Sequence, residues 1–187
     1  MACANVIFLL IPDEVMPRVY AEHIAPELRA GMTLNFASSY NITFKRIVPP
    51  TNVDVVMVAP RMIGKGVRDT FVRSLGFPSL IAVQQDATGR AQALTLAIAK
   101  GIGSTRMGAV QSSFQEETTV DLFSEQSGSL YLLRLMFTAL FEAGCNPDVV
   151  LLELYASGEL SEVYASARDM GLWSQLRLHS HTSQYGQ

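Results

Sequence analysis

The sequence predicts an α/β protein, a partial parallel sheet followed by an all-helical C-terminal part. Three observations carry this reading. Short apolar runs alternate with helical stretches over roughly the first 115 residues, the pattern of strands joined by crossover helices. The run at 53–59, VDVVMVA, is apolar almost throughout, as in a strand covered on both faces. After Asp121 the strand signals stop and only helical periodicity continues. The expected division is an α/β domain over 1–114 and a helical domain over 115–187.

Taken in order, residues 5–11 read as a buried strand, too short to span a bilayer and without the basic flank of a signal peptide. Residues 12–24 read as a helix opening on Pro12 and Asp13, with Pro17 tolerated in its first turn. Strands are expected at 32–37, 53–59, 79–84 and 107–111. Helices are expected at 67–75 and at 88–102, where Ala91, Leu94, Ala97 and Ile98 share one side. Beyond them, 121–143, 147–170 and 172–178 read as helices, separated by Gly144-Cys145-Asn146-Pro147 and by Gly171.

Bulk properties narrow the function classes. With 49% hydrophobic and 17% charged residues among 187, the chain is no disordered segment, and some apolar surface is expected between subunits. A net charge of −3 implies no broad basic face for nucleic acid. Cys3 and Cys145 match neither a disulfide framework nor a zinc pattern, so a reduced, cytoplasmic setting without membrane contact is expected.

The chemistry centres on Asp121 and Glu125. Four residues apart on a helix, their carboxylates share one face and repel unless a cation sits between them. They are either a solvated acidic turn or a pair for a hard ion such as Mg²⁺, which takes oxygen ligands. The surrounding stretch 114–126, FQEETTVDLFSEQ, resembles the metal-binding signature of ketol-acid reductoisomerase (acetohydroxyacid isomeroreductase). The likeness runs from Val6 to about Gln126 and more weakly to the C-terminus. It implies a partial Rossmann-like sheet and a truncated form of that family's knotted helical domain. It also implies Asp121 and Glu125 as Mg²⁺ ligands.

Further positions carry the resemblance. FASSYNITF at 36–44 is similar to the family's strand-end loop, with Ser38 where the family has a catalysis-associated His; a hydroxyl cannot titrate near neutral pH. Val58-Ala59-Pro60-Arg61 resembles Val-Ala-Pro-Lys, whose Lys lies at the active site. Arg61 either grips a substrate carboxylate or sits solvated. VQQDATGRA at 83–91 is read as a turn that caps a helix. Counting from Phe141-Glu142-Ala143-Gly144, Glu153 falls on the first of two partner-subunit glutamates, while the second position holds Ser157 with Glu159 nearby. Glu153 and Glu159 reach one metal together only across a break, for which Gly158 is the candidate. HSHTSQYG at 179–186 resembles a Ser-rich segment that puts Ser180 on a substrate contact. His179 and His181 fall outside the family pattern and are either new acid–base groups or metal ligands, or simply part of a polar tail.

The first strand is followed by Pro12-Asp13-Glu14 and not by the glycine turn of a dinucleotide fold; Gly64-Lys65-Gly66 and Gly101-Ile102-Gly103 are only near-misses. Ile11-Pro12-Asp13-Glu14-Val15 resembles a segment in the second part of the family's cofactor domain, whose glycine fingerprint lies upstream, and on that ground tight NADPH binding is not expected. The resulting expectation is an isomerase or cyclase acting on an oxygen-rich small molecule without reduction, by an α-ketol-type rearrangement. Its metal would be held by Asp121, Glu125 and Glu153, with Glu125 and Glu153 as the catalytic carboxylates. Ser38, Arg61 and Ser180 would bind substrate, in a homodimer with interwoven helical tails. Two alternatives stand beside it: a non-catalytic pseudoenzyme that binds a ligand or partner, and an orthodox NADPH-dependent reductoisomerase completed by another chain.

Overall fold

The computed structural model describes residues 4–185, so Cys3 and Gly186 lie outside the described residues. Contacts divide the chain into two compact units, 1–124 and 125–187. The first holds a five-stranded sheet, β1 (Val6–Leu9), β2 (Thr33–Phe36), β3 (Asp54–Pro60), β4 (Ser79–Gln85) and β5 (Ala109–Gln111), in spatial order β1-β2-β3-β4-β5. All five expected strands are present.

The sheet is mixed, which corrects the expected all-parallel arrangement. β1, β2 and β3 are parallel, and β4 is parallel to β5, but β3 and β4 run antiparallel. The last residue of β3, Pro60, pairs with the first of β4, Ser79, and the Arg61 N–H donates to the Pro78 carbonyl at 2.9 Å. The chain therefore re-enters the sheet at the end it left. A parallel return needs a crossover spanning the strand length. The nine-residue helix in the connection, Gly64–Val72, rises only ~13 Å against ~23 Å for the seven-residue β3.

β3 is the middle of the core. Val55, Met57 and Ala59 pack on Leu34, Phe36, Met16, Tyr20, Ile24 and Phe114, while Val58 packs with Ile81 and Ala99. Burial on both faces is why its sequence carries no alternation. The helices in chain order are α1 (Met16–Val19), which widens into a π-helical turn over Tyr20–Ile24, α2 (Tyr40–Thr43), α3 (Gly64–Val72) and α4 (Ala91–Gly101). Asp54 and Asp86 build the turn before α4. Asp54 Oδ1 accepts from the Ala87 and Thr88 N–H groups at 2.8 and 3.0 Å, and Asp86 Oδ1 accepts from the Ala91 N–H at 3.1 Å. The turn-and-cap reading of 83–91 holds.

α5 (Phe114–Gln126) begins earlier than the expected residue 121. Ser113 Oγ accepts from the Glu116 N–H at 3.0 Å, a Ser-x-x-Glu helix start. Phe114, Glu117 and Thr118 are then buried against the sheet unit. The expected continuous helix to 143 is broken at Gly128, whose φ of +87° is a left-handed conformation open to glycine.

The helical unit contains α6 (Ser129–Glu142), α7 (Pro147–Leu151), a π-helical turn over Leu152–Ala156, α8 (Glu159–Met170), α9 (Leu172–Leu176) and α10 (His181–Gln184). The expected helix 147–170 is interrupted at Gly158, with φ +88°, the break anticipated between Glu153 and Glu159. Leu130, Leu133, Phe137, Leu151, Leu154 and Leu160 line an apolar groove of about 530 Å³ within this unit. No helix among the described residues is long and apolar enough to cross a membrane.

Candidate active site at the strand ends

The C-terminal ends of the parallel strands β1, β2 and β3 deliver Asp13, Ser38 with Ser39, and Arg61 to one end of the sheet, the usual position for ligands in open α/β sheets. α5 crosses there and adds Glu117 and Asp121, one turn apart on one face. The Arg61 guanidinium bridges them. Its Nη2 donates to Glu117 Oε1 and its Nη1 to Asp121 Oδ1, both at 2.8 Å.

Glu117 is the fixed point of this cluster, with its side chain 1% exposed. Its Oε2 accepts from the Ser39 N–H at 3.0 Å and lies against Ser39 Oγ. Ser39 Oγ also reaches the Phe114 carbonyl at 2.7 Å and Thr118 Oγ1 at 2.6 Å. With one proton to give, that hydroxyl donates to one of its two pure acceptors. Thr118 Oγ1 and Thr43 Oγ1 are 2.9 Å apart, and Thr43 Oγ1 donates to the Phe114 carbonyl at 3.1 Å. A buried carboxylate is thus matched by a cation, a backbone N–H and a hydroxyl, which is what a charge of low exposure requires.

Beside it lies Asp13. Its Oδ2 accepts from Ser38 Oγ at 3.2 Å, its Oδ1 from Asn41 Nδ2 at 3.0 Å, and its carbonyl from the same amide at 3.1 Å. Burial pushes its carboxyl above the ordinary 3.8; Ser38 and Asn41 oppose that by hydrogen bonding, while the charges of Glu117 and Glu14 add to it. A group whose folded value is raised loses stability as pH rises through that value and regains it below the unfolded one. Asp13→Asn is therefore expected to raise the urea midpoint at pH 7, with the gain shrinking as pH falls to 3.8 and below. Equal midpoints for the two proteins at pH 7 would contradict this.

The remaining expected site residues are placed as follows. Glu125 is exposed, one turn beyond Asp121 on α5. Glu153 is exposed in the π-helical turn of the helical unit. Ser157 Oγ accepts from the Glu159 N–H at 3.3 Å, so both belong to the local helix break. Ser180 caps α10, accepting from the Ser183 N–H at 3.3 Å. His179 pairs with Gln175 at 3.0 Å, and His181 is exposed at the start of α10. Among the described residues no three His, Cys, Asp or Glu side chains gather as a metal cluster within this single chain. Glu117, Ser39 and Asp13 were not anticipated. The legible signal was the run Glu117, Asp121, Glu125 at four-residue spacing, which gives three acids along one helix face.

A Rossmann-like α/β unit with charged groups at the ends of its parallel strands, followed by a helical part, is the class that the fold defines. Residues 1–108 match the acetohydroxy acid isomeroreductase NADPH-binding domain, and 114–187 match the ketol-acid reductoisomerase C-terminal domain. The chain belongs to the ketol-acid reductoisomerase family. A Saccharolobus solfataricus relative named for the family is 48% identical over 98% of this chain and 57% of its own. The ketol-acid reductoisomerase (NADP(+)) of Pyrococcus abyssi is 42% identical over 98% of this chain and 56% of its own. An NADH-preferring ketol-acid reductoisomerase from an uncultured archaeon superposes with a TM-score of 0.88 at 38% identity, covering 97% of this chain and 56% of that one. The chain thus spans a little over half the length of these relatives.

These matches overturn the expectation that NADPH is not bound. The glycine turn is one element of a cofactor fold, and the domain that residues 1–108 match is the NADPH-binding one. The Pyrococcus abyssi relative is named for NADP(+), and the archaeal structure for its preference for NADH. A non-reducing isomerase or cyclase finds no support among them.

Proposed function

We propose that this chain serves the ketol-acid reductoisomerase reaction: a 1,2-alkyl shift in a 2-hydroxy-ketone acid, followed by reduction with a nicotinamide cofactor. The observation that carries it is the match of both family domains, in order, along one chain. Asp121 and Glu125, with Glu153 from a second copy, would hold Mg²⁺. All are hard oxygen donors, and Asp121 and Glu125 stand one turn apart on α5, so the donor set suits that ion. When bound, Mg²⁺ supplies Lewis acidity toward substrate oxygens, and NADPH supplies hydride.

The chain's own residues do the positioning. Glu117 fixes the Arg61 guanidinium, and Arg61 in turn orients Asp121. Ser38 cannot titrate near neutral pH; its hydroxyl donates to the Asp13 carboxylate, which burial holds above its ordinary pKa. The apolar groove of the helical unit, together with exposed Leu132, Leu135 and Phe141 on α6, supports a homodimer joined through its helical tails. The test is Mg²⁺-dependent oxidation of NADPH with acetolactate, on the chain alone and after reconstitution with a second chain carrying the rest of the family length. Turnover is expected in at least one arm, and its loss on Asp121→Ala with Glu125→Ala. Absence of turnover in both arms overturns the proposal.

A further inference from the structure

Arg61 occupies the position where the resembling motif carries lysine, and it bridges two carboxylates through two separate nitrogens of a planar fork. Its two Nη atoms hold Glu117 and Asp121 at once, each at 2.8 Å. Glu117 is itself pinned by the Ser39 N–H and hydroxyl, and the Arg61 Nε is buried without a partner. The guanidinium is therefore a held group and not a wandering surface charge; its side chain is 30% exposed.

We infer that Arg61 is a tethered cation that competes with the divalent metal for Asp121. The inference rests on the reading above that Asp121 is a metal-holding carboxylate. Oδ1 of Asp121 is committed to the guanidinium. A metal arriving at this carboxylate meets a full positive charge one oxygen away. Arginine keeps that charge at any working pH, and its planar fork is shaped for carboxylates. A lysine ammonium is a point charge on a flexible stem, free to stay with Glu117 and leave Asp121 open. Loading the metal in this chain thus requires the guanidinium to release Oδ1. Arg61 sets metal affinity without being a ligand.

The test uses Mn²⁺ alone as the probe, with affinity read by electron paramagnetic resonance of the free ion and by calorimetry, on the whole chain without substrate or cofactor. Arg61→Lys is the principal variant, because it keeps a cation for buried Glu117. Arg61→Gln is the second, taken with a far-UV circular dichroism check of folding. Arg61→Lys is expected to tighten Mn²⁺ binding about tenfold or more, and the gain is expected to vanish when Asp121→Asn is added. Unchanged or weaker binding in Arg61→Lys overturns the competition. If Asp121→Asn alone still abolishes Mn²⁺ binding, that failure leaves Asp121 as a ligand. A gain that survives Asp121→Asn places the effect elsewhere and also overturns it. No binding in any variant overturns both the competition and the metal role of Asp121.

Discussion

Replacing Glu117 by alanine is expected to lower the unfolding free energy of the sheet unit by about 3–5 kcal/mol, the range seen when one partner of a buried ion pair is removed. The side chain is 1% exposed and serves three partners: Arg61 Nη2, the Ser39 N–H and the Ser39 hydroxyl. Alanine leaves the Ser39 N–H, which is buried, without an acceptor. It also leaves the guanidinium with Asp121 alone, in surroundings where Nε already lacks a partner. The cost is then dominated by orphaned groups and not by the Coulomb energy of the pair. Glu117→Gln keeps the volume and one acceptor oxygen but gives up the charge that faces Arg61, so it is expected to cost less than alanine. Urea unfolding followed by far-UV circular dichroism checks both. A loss below about 1 kcal/mol for Glu117→Ala would mean that the pair behaves like a surface salt bridge.

Much of the scaffold was legible because burial writes itself into composition. VDVVMVA could only be a strand shielded on both faces, and it is the middle strand of five. The direction of β4 was not legible, since a doubly buried strand reads the same in either orientation. The antiparallel return shows only in the pairing of Pro60 with Ser79. The start of α5 was written in Ser113 and Glu116, but periodicity drew attention to Asp121 instead. At the site, motif comparison picked out Ser38, Arg61 and Asp121, which the fold brings to one end of the sheet. Glu117 lay inside the resembling run 114–126 without being singled out, since nothing local distinguishes it from the neighbouring Glu116. Only the tertiary position of Arg61 turns that acid into the centre of a network. The cofactor was misjudged because one missing glycine turn was given more weight than the rest of its domain.

Phe36→Ala is expected to cost about 3–5 kcal/mol, the range for deleting a buried aromatic ring, and to disturb the site as well as the core. Phe36 is the last residue of β2, 0% exposed, and meets Phe114 edge to face with centroids 6.4 Å apart. Phe114 is the first residue of α5, and its carbonyl accepts from Thr43 Oγ1 and lies 2.7 Å from Ser39 Oγ. The ring pair therefore sets where α5 begins, one turn before Glu117 and two before Asp121. Leu34→Ala removes an equally buried side chain from the same strand, but Leu34 has no ring stacked on the α5 start. Both variants should lower stability, read as an earlier urea midpoint. Only Phe36→Ala should also change Mn²⁺ affinity under conditions where the protein remains folded. If Leu34→Ala changes that affinity equally, the site is sensitive to core packing in general, and the Phe36–Phe114 contact has no special hold on the carboxylates. If neither changes it, α5 is registered by Ser39, Thr43 and Thr118 through hydrogen bonds alone, and the aromatic pair serves stability only.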